Sequence, residues 1–194
     1  MRFSEFFDYV GHYLNEGKII YYFEGNHDVH LNKLFTKIFD NKIIQVKNLK
    51  VLEKPLYKVI DGKKFYFSHG DELLVDDKVY MVYKKFLLTK SSKLISHYLM
   101  PLSVLDYIGE KASAISRSRE NKLENQSDLR IKIRKYVEDS NINADFIIIG
   151  HMHVLDEHKF NGSNRNMIYM NNGYFPESKK YLFYSGGEIN WVNL

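Results

Sequence analysis

Apolar positions along the chain change their period several times, and each change marks an element. Phe3, Phe6, Phe7, Val10 and Leu14 recur at helical spacing with Gly17 as a stop, which predicts a helix over residues 3–16. Ile19 to Phe23 is a continuous β-branched and aromatic run, the pattern of a strand buried on both faces beneath helices. It ends in Gly25-Asn26-His27-Asp28, and residues 31–39 read as a short helix. Val51 to Val59 is strand-like and broken by Pro55. Asp61-Gly62 is a hairpin signal, and Lys63 to Phe67 is the returning strand, which runs into Ser68-His69-Gly70-Asp71.

Residues 78–139 lose their turn signals and become rich in helix-forming residues. Tyr80, Tyr83, Phe86, Leu87 and Leu88, then Ile95, Tyr98, Leu99, Leu102, Leu105 and Ile108, form apolar stripes punctuated by Pro101 and Gly109. Two or three helices are expected there, and Ile131, Ile133 and Val137 begin another that ends near Asn141. Ala144 to Ile149 is a second buried strand, ending in Gly150-His151-Met152-His153. From residue 158 onward the pattern is short β: Met167 to Met170, Lys180 to Tyr184 and Ile189 to Val192, with turns at Asn161-Gly162 and Gly186-Gly187. No repeat or low-complexity tract interrupts this order.

Composition narrows the chemistry. The 194 residues are 44% hydrophobic and 27% charged, which suits one globular domain with its own core. There is no cysteine, so disulfide scaffolds, iron–sulfur sites and thiol nucleophiles are excluded. The net charge of +4 suits an anionic partner such as a phosphate or a lipid headgroup, and equally a solvated surface. No recognised nucleic-acid motif is present, so no nucleic-acid partner is expected. The first residues carry acids early and lack a signal-peptide design, and no apolar run is long enough to span a bilayer. The expected location is cytoplasmic, with the inner-membrane surface as a peripheral contact.

Three times, then, an apolar strand ends in a glycine-containing turn that bears His or Asn. Ligands of α/β sheets bind at the carboxyl ends of strands, and three such ends can converge on one point. Imidazole with an amide or carboxylate oxygen suits a divalent transition metal, and a His-x-His pair can serve two neighbouring ions. Each turn alone is weak evidence for a site. Their order, each at the end of a predicted strand, is what points to a metal centre.

At these residues the sequence resembles the calcineurin-like metallophosphoesterases. The ordered signature of that family is Asp-x-His, Gly-Asp-x-x-Asp, Gly-Asn-His-Asp, a His after a strand, and Gly-His-x-His. The last three are present, across residues 25–153. Within the family it is most similar to the UDP-2,3-diacylglucosamine pyrophosphohydrolases of lipid A synthesis. The cue is His69-Gly70-Asp71, followed by Asp76-Asp77 and Tyr80 and by a helical insertion over about residues 78–125.

The resemblance implies an α/β fold: a four-layer-like sandwich of mixed sheets, with the insertion as a cap. It implies a divalent cofactor, Mn2+ with two ions in the family. Asn26, His69 and His151 match ligands of one ion and His153 a ligand of the other. His27 matches the position that assists the leaving group, and Asp28 the carboxylate that orients it. Asp71, Asp76, Tyr80, Arg117, Arg119, Asn121 and Lys122 fall where substrate phosphate and sugar are held. The partner implied is a UDP-linked acylated sugar, hydrolysed at its phosphoanhydride to lipid X and UMP.

Asp76 and Asp77 read equally as a solvated pair capping a helix, and the stripes of residues 80–108 read as core or as a lid over acyl chains. Asn171-Asn172-Gly173, after a predicted strand, reads as structural. The first two motifs of the signature have no counterpart among residues 1–24, where Asp8 and His12 lie on a predicted helix in reverse order. The expectation is a single domain, 1–194, partial at its N-terminus, with one ion position keeping three protein ligands and the other one. Weak hydrolysis by this chain alone is expected, with completion by a separate N-terminal piece or a homo-oligomer. Another phosphoesterase of the family, acting on nucleotides or phosphoproteins, and a non-catalytic fragment are the alternatives.

Overall fold

The computed structural model describes residues 4–25, 35, 39, 46–71, 126–162 and 165–194. The described chain is mixed α/β. Helix α1 (Ser4–Asn15) leads to β1 (Ile20–Phe23), which pairs in parallel with β2 (Leu49–Leu52). A second sheet contains β3 (Leu56–Ile60), β4 (Lys63–Ser68), β5 (Phe146–Ile149), β6 (Leu155–Asn161) and β7 (Asn166–Asn172), in the order β3-β4-β5-β7-β6. Helix α2 (Gln126–Asp139) precedes β5. A short helix, α3 (Phe175–Ser178), precedes a hairpin of β8 (Lys180–Ser185) and β9 (Glu188–Asn193).

β4, β5 and β7 are neighbours and mutually parallel, while β3 and β6 are antiparallel edges on either side. The alternation of side chains across the sheet builds two cores. On one face Tyr66, Ile147, Ile149, Met167 and Tyr169 close around Ile133 and Val137 of α2. On the other, Phe65 and Phe146 stack at 4.8 Å, and Tyr184 of β8 meets Phe65 edge-on at 4.9 Å. A separate cluster of Val10, Leu14, Phe35, Phe39 and Leu49 packs α1 against the β1–β2 pair. Lys58 of β3 ties this unit to the larger sheet: its Nζ donates to the Tyr21 hydroxyl at 3.0 Å.

Two further pairings lock α2 across β6. Arg134 donates from Nε and Nη2 to the Asp156 carboxylate at 3.0 and 2.5 Å, and His158 Nε2 lies 2.6 Å from Glu138 Oε1. Four residues of helix advance about 6 Å and two residues of strand about 6.6 Å, so a helix i,i+4 pair meets a strand i,i+2 pair without strain. The hydrogen bond to Asp156 raises the Arg134 guanidinium above its ordinary range, against the opposing effect of burial. At the start of β5, burial pushes the Asp145 carboxyl up. The Lys64 amide, donating to it at 2.7 Å, and Arg165 outweigh that and hold it low.

Most elements fall where periodicity puts them, with four differences. Residues 51–59 are two strands in two different sheets. Pro55 lacks an N–H, which ends pairing between them. β6 begins earlier than the short-β pattern foresees. Its inward Asp156 is buried against Arg134, so the apolar alternation is broken at the position that most needs it. β1 is half-buried along its length rather than buried on both faces. Phe6 and Ile131, counted among the apolar stripes, face solvent at 46% and 64% exposure. The lid expected over about 78–125 lies outside the described residues.

Asp156 is buried, so removing its partner strands a charge. Arg134→Met is expected to lower stability by about 2–4 kcal/mol in denaturant melts. Adding Asp156→Leu to it should recover part of the loss. Purely additive losses would show that the pair is not coupled.

Candidate functional site

The candidate site forms where the parallel strands end. β4 delivers Ser68-His69-Gly70-Asp71, β5 delivers Gly150-His151-Met152-His153, and β7 delivers Asn171-Asn172-Gly173-Tyr174, all at one end of the sheet. The His69 and His151 rings lie 4.9 Å apart, tilted by 53°. Gly25, just past β1, brings a fourth strand end to the same place. A Cβ at Gly25 would stand 2.7 Å from His69 Cε1 and 2.8 Å from Nε2, so only glycine lets the backbone lie against that ring. Gly25 and His69 therefore meet in space, although they are 44 positions apart in sequence.

Backbone geometry around the imidazoles is tightly determined. Gly70 has φ of +103°, and a Cβ there would meet Gly150 O at 2.9 Å. Ser68 Oγ accepts from the Gly70 amide at 3.1 Å. His151 and His153 both adopt left-handed backbone, φ +67° and +53°, a conformation that costs non-glycine residues on the order of 1 kcal/mol each. Fully buried Asn171 fastens this loop: its Nδ2 donates to Gly150 O at 3.1 Å, and its Oδ1 accepts from the Gly173 amide at 3.1 Å. The structural reading of Asn171 is thus borne out. Next to it, burial pushes the Tyr169 phenol far up.

Of the sequence-derived candidates, the fold brings His69 and His151 together. His69 Nε2 is sealed from solvent, and Asp71, two residues after His69, is buried at 4% exposure. His153 is two residues on and exposed, its ring 5.1 Å from that of Tyr174. Asn26, His27, Asp28, Asp76, Tyr80, Arg117, Arg119, Asn121 and Lys122 lie outside the described residues. Among the described residues no group of three or more His, Asp or Glu side chains closes a cage by itself. The donor chemistry nonetheless fits a cation. Two imidazoles that ligate one ion through nitrogens at about 2.1 Å place their centroids roughly 4.5–5.2 Å apart, for ligand angles between about 90° and 109°. The observed separation falls inside that range. Tyr174 carried no sequence signal: it is one aromatic after a turn.

Comparison with curated proteins finds two similar enzymes. A UDP-2,3-diacylglucosamine hydrolase of Photorhabdus laumondii is 32% identical over 139 residues, which cover 71% of this chain and 54% of that protein. The chain is a homologue of the UDP-2,3-diacylglucosamine hydrolases. A second such enzyme, from Blochmanniella pennsylvanica, is 28% identical over 160 residues, 80% of this chain and 59% of its own length. The chain thus spans just over half the length of the curated relatives it matches. No family model matches it. The resemblance read from the three strand-end turns is therefore shown at the level of a metallophosphoesterase-like family. Among the described residues no helix is long and apolar enough to cross a membrane.

The close approach at Gly25 gives a direct check. Gly25→Ala should displace the His69 ring and destabilise the protein by about 1–3 kcal/mol, as overpacking does. Unchanged stability with an unchanged His69 imidazole spectrum would mean that Gly25 does not lie against His69.

Proposed function

We propose that the chain is a divalent-metal-dependent phosphoester hydrolase of the calcineurin-like type, whose substrate is UDP-2,3-diacylglucosamine. The observation that carries this reading is the convergence of Gly25, His69 and His151 from three separate strand ends. Homology to two enzymes named for that substrate supplies the substrate class.

In this reading Asn26, His69 and His151 hold one ion, most naturally Mn2+, and His153 faces a second position. Bound there, a divalent ion would supply positive charge to offset that building at phosphorus and would lower the pKa of a water so that hydroxide is available near neutral pH. The protein groups do the rest. His27 assists departure of the leaving phosphate oxygen, and Asp28 orients His27. Asp71 orients an imidazole or a substrate hydroxyl from its buried place after β4. Arg117, Arg119, Asn121 and Lys122 hold phosphate and sugar, with Asp76 and Tyr80 beside them. The helical insertion of about residues 78–125 covers the acyl chains, and the mixed sheets form the metallophosphoesterase sandwich as one domain over 1–194.

The reading is tested first by metal content. After Mn2+ loading and dialysis, elemental analysis should find close to one ion per chain, lost in His151→Ala and in His69→Ala. Retention of the ion in both variants, or none in the folded wild type, removes the proposal.

Substrate class is tested separately. Leu99→Asn with Leu102→Asn should depress turnover of a diacylated substrate by roughly tenfold or more, at about 0.8 kcal/mol per buried methylene lost. A soluble aryl phosphate should be hydrolysed at nearly the wild-type rate. Equal loss on both substrates would rule out a lid over acyl chains.

A further inference from the structure

β5 lies between two parallel neighbours, β4 on one side and β7 on the other. Its strand-end loop is therefore flanked by two other strand ends, and each of its two histidines faces one of them. His151 packs against His69, from β4, with ring centroids 4.9 Å apart. His153 packs against Tyr174, from the turn after β7, with centroids 5.1 Å apart and planes tilted by only 33°. The first contact joins two residues that the proposed function already uses. The second joins His153 to a residue that it does not use.

The two histidines differ in how much else restrains them. His151 is half-buried within the cluster of turns. His153 is exposed and sits on left-handed backbone at φ +53°. An exposed imidazole has free rotation about χ1 and χ2 unless a neighbour restricts it, and ordering it costs rotamer entropy on ligand binding. Tyr174 sets its ring beside that imidazole, 33° from parallel. Its own backbone is well held. It is extended, at φ −94° and ψ 101°, and follows Gly173, whose amide is bonded to buried Asn171. Asn171 in turn grips Gly150, three residues before His153. The tyrosine and the histidine are thus mounted on two loops tied to each other, which fixes the distance between them.

We propose that Tyr174 is a positioning residue for His153, holding its imidazole in the orientation needed to ligate a divalent cation. The inference rests on the proposed metal-binding function. The work is done by the ring face, so phenylalanine should replace tyrosine, and a side chain without a ring should not. Tyr174 is 43% exposed and the buried anchoring belongs to Asn171, so losing the ring should leave global stability nearly untouched.

The test is a Mn2+ binding isotherm, read by the electron paramagnetic resonance of free Mn2+, on wild type, Tyr174→Ala, Tyr174→Phe, His153→Ala and the Tyr174→Ala/His153→Ala double variant. The ion held by His69 and His151 should bind as in wild type in Tyr174→Ala, whereas a second, looser phase of the isotherm, the one that His153→Ala removes, is expected to weaken by roughly tenfold, as loss of a group that orients a ligand does. Tyr174→Phe should bind like wild type. The double variant should bind no more weakly than His153→Ala alone, because Tyr174 acts only through His153. A metal-free readout runs beside it: the His153 imidazole proton shifts should carry the ring current of residue 174 in wild type and in Tyr174→Phe, and lose it in Tyr174→Ala. Absence of a His153-dependent second phase in the wild type, wild-type affinity for it in Tyr174→Ala, or additive losses in the double variant overturns the inference. If His69→Ala and His151→Ala still abolish binding, the proposed function stands without it. Absence of Mn2+ binding by the wild type removes both.

Discussion

Everything at the candidate site depends on three adjacent strands running the same way. A parallel ladder places successive carboxyl ends at one level, separated by about 4.8 Å per strand. β4, β5 and β7 obey this, so the turns that follow them are neighbours by construction. Antiparallel pairing at any of these positions would send one turn to the opposite end of the sheet. Parallel neighbours also need long connections. The one from β4 to β5 contains α2, which covers one face of the sheet with Ile133 and Val137. The same connection that satisfies topology thus supplies the core that holds the strands in register.

Histidines placed side by side in this way need a rigid support, because their orientation decides whether they can share a ligand. The support is mostly backbone. Gly25 and Gly70 bring main chain against the His69 ring and the Gly150 carbonyl at distances that a Cβ would forbid. Asn171 is buried completely, and it gives both halves of its amide to main-chain groups of the loops above it. The left-handed conformations of His151 and His153 persist in this setting because the surrounding bonds over-determine them. Left-handed backbone falls on the two imidazole-bearing residues of this loop and on none of the residues within β4, β5 and β7 below it.

The site was more legible in the sequence than the sheet beneath it. Each strand-end turn carries its own residue signature, and the buried run before it announces the strand, as at Ile147-Ile148-Ile149 before Gly150. Order along the chain then suffices to suggest convergence. Sheet membership is not written locally. Nothing in Val51 to Val59 says that pairing changes partner at Pro55, since both halves have the same strand composition. β6 was hidden for a different reason: an ion pair, not an apolar side chain, fills its inward position, and a pattern of apolar residues cannot register Asp156 meeting Arg134. Tyr174 was silent because its role comes from the neighbour of its strand, a relation that exists only once β5 and β7 are paired.

This last point bears on why the loop after β5 holds two histidines rather than one. In a parallel sheet an interior strand end has a neighbour on each side, so two side chains separated by one residue can each be braced independently. His151 uses the β4 side and His153 the β7 side. An edge strand offers only one such neighbour. β5 is the middle strand of the five, and it therefore can keep both imidazoles ordered on a turn of four residues. Gly-His-x-His thus follows the one described strand that has a parallel neighbour on each side, and each of its histidines lies close to a ring from a different strand end.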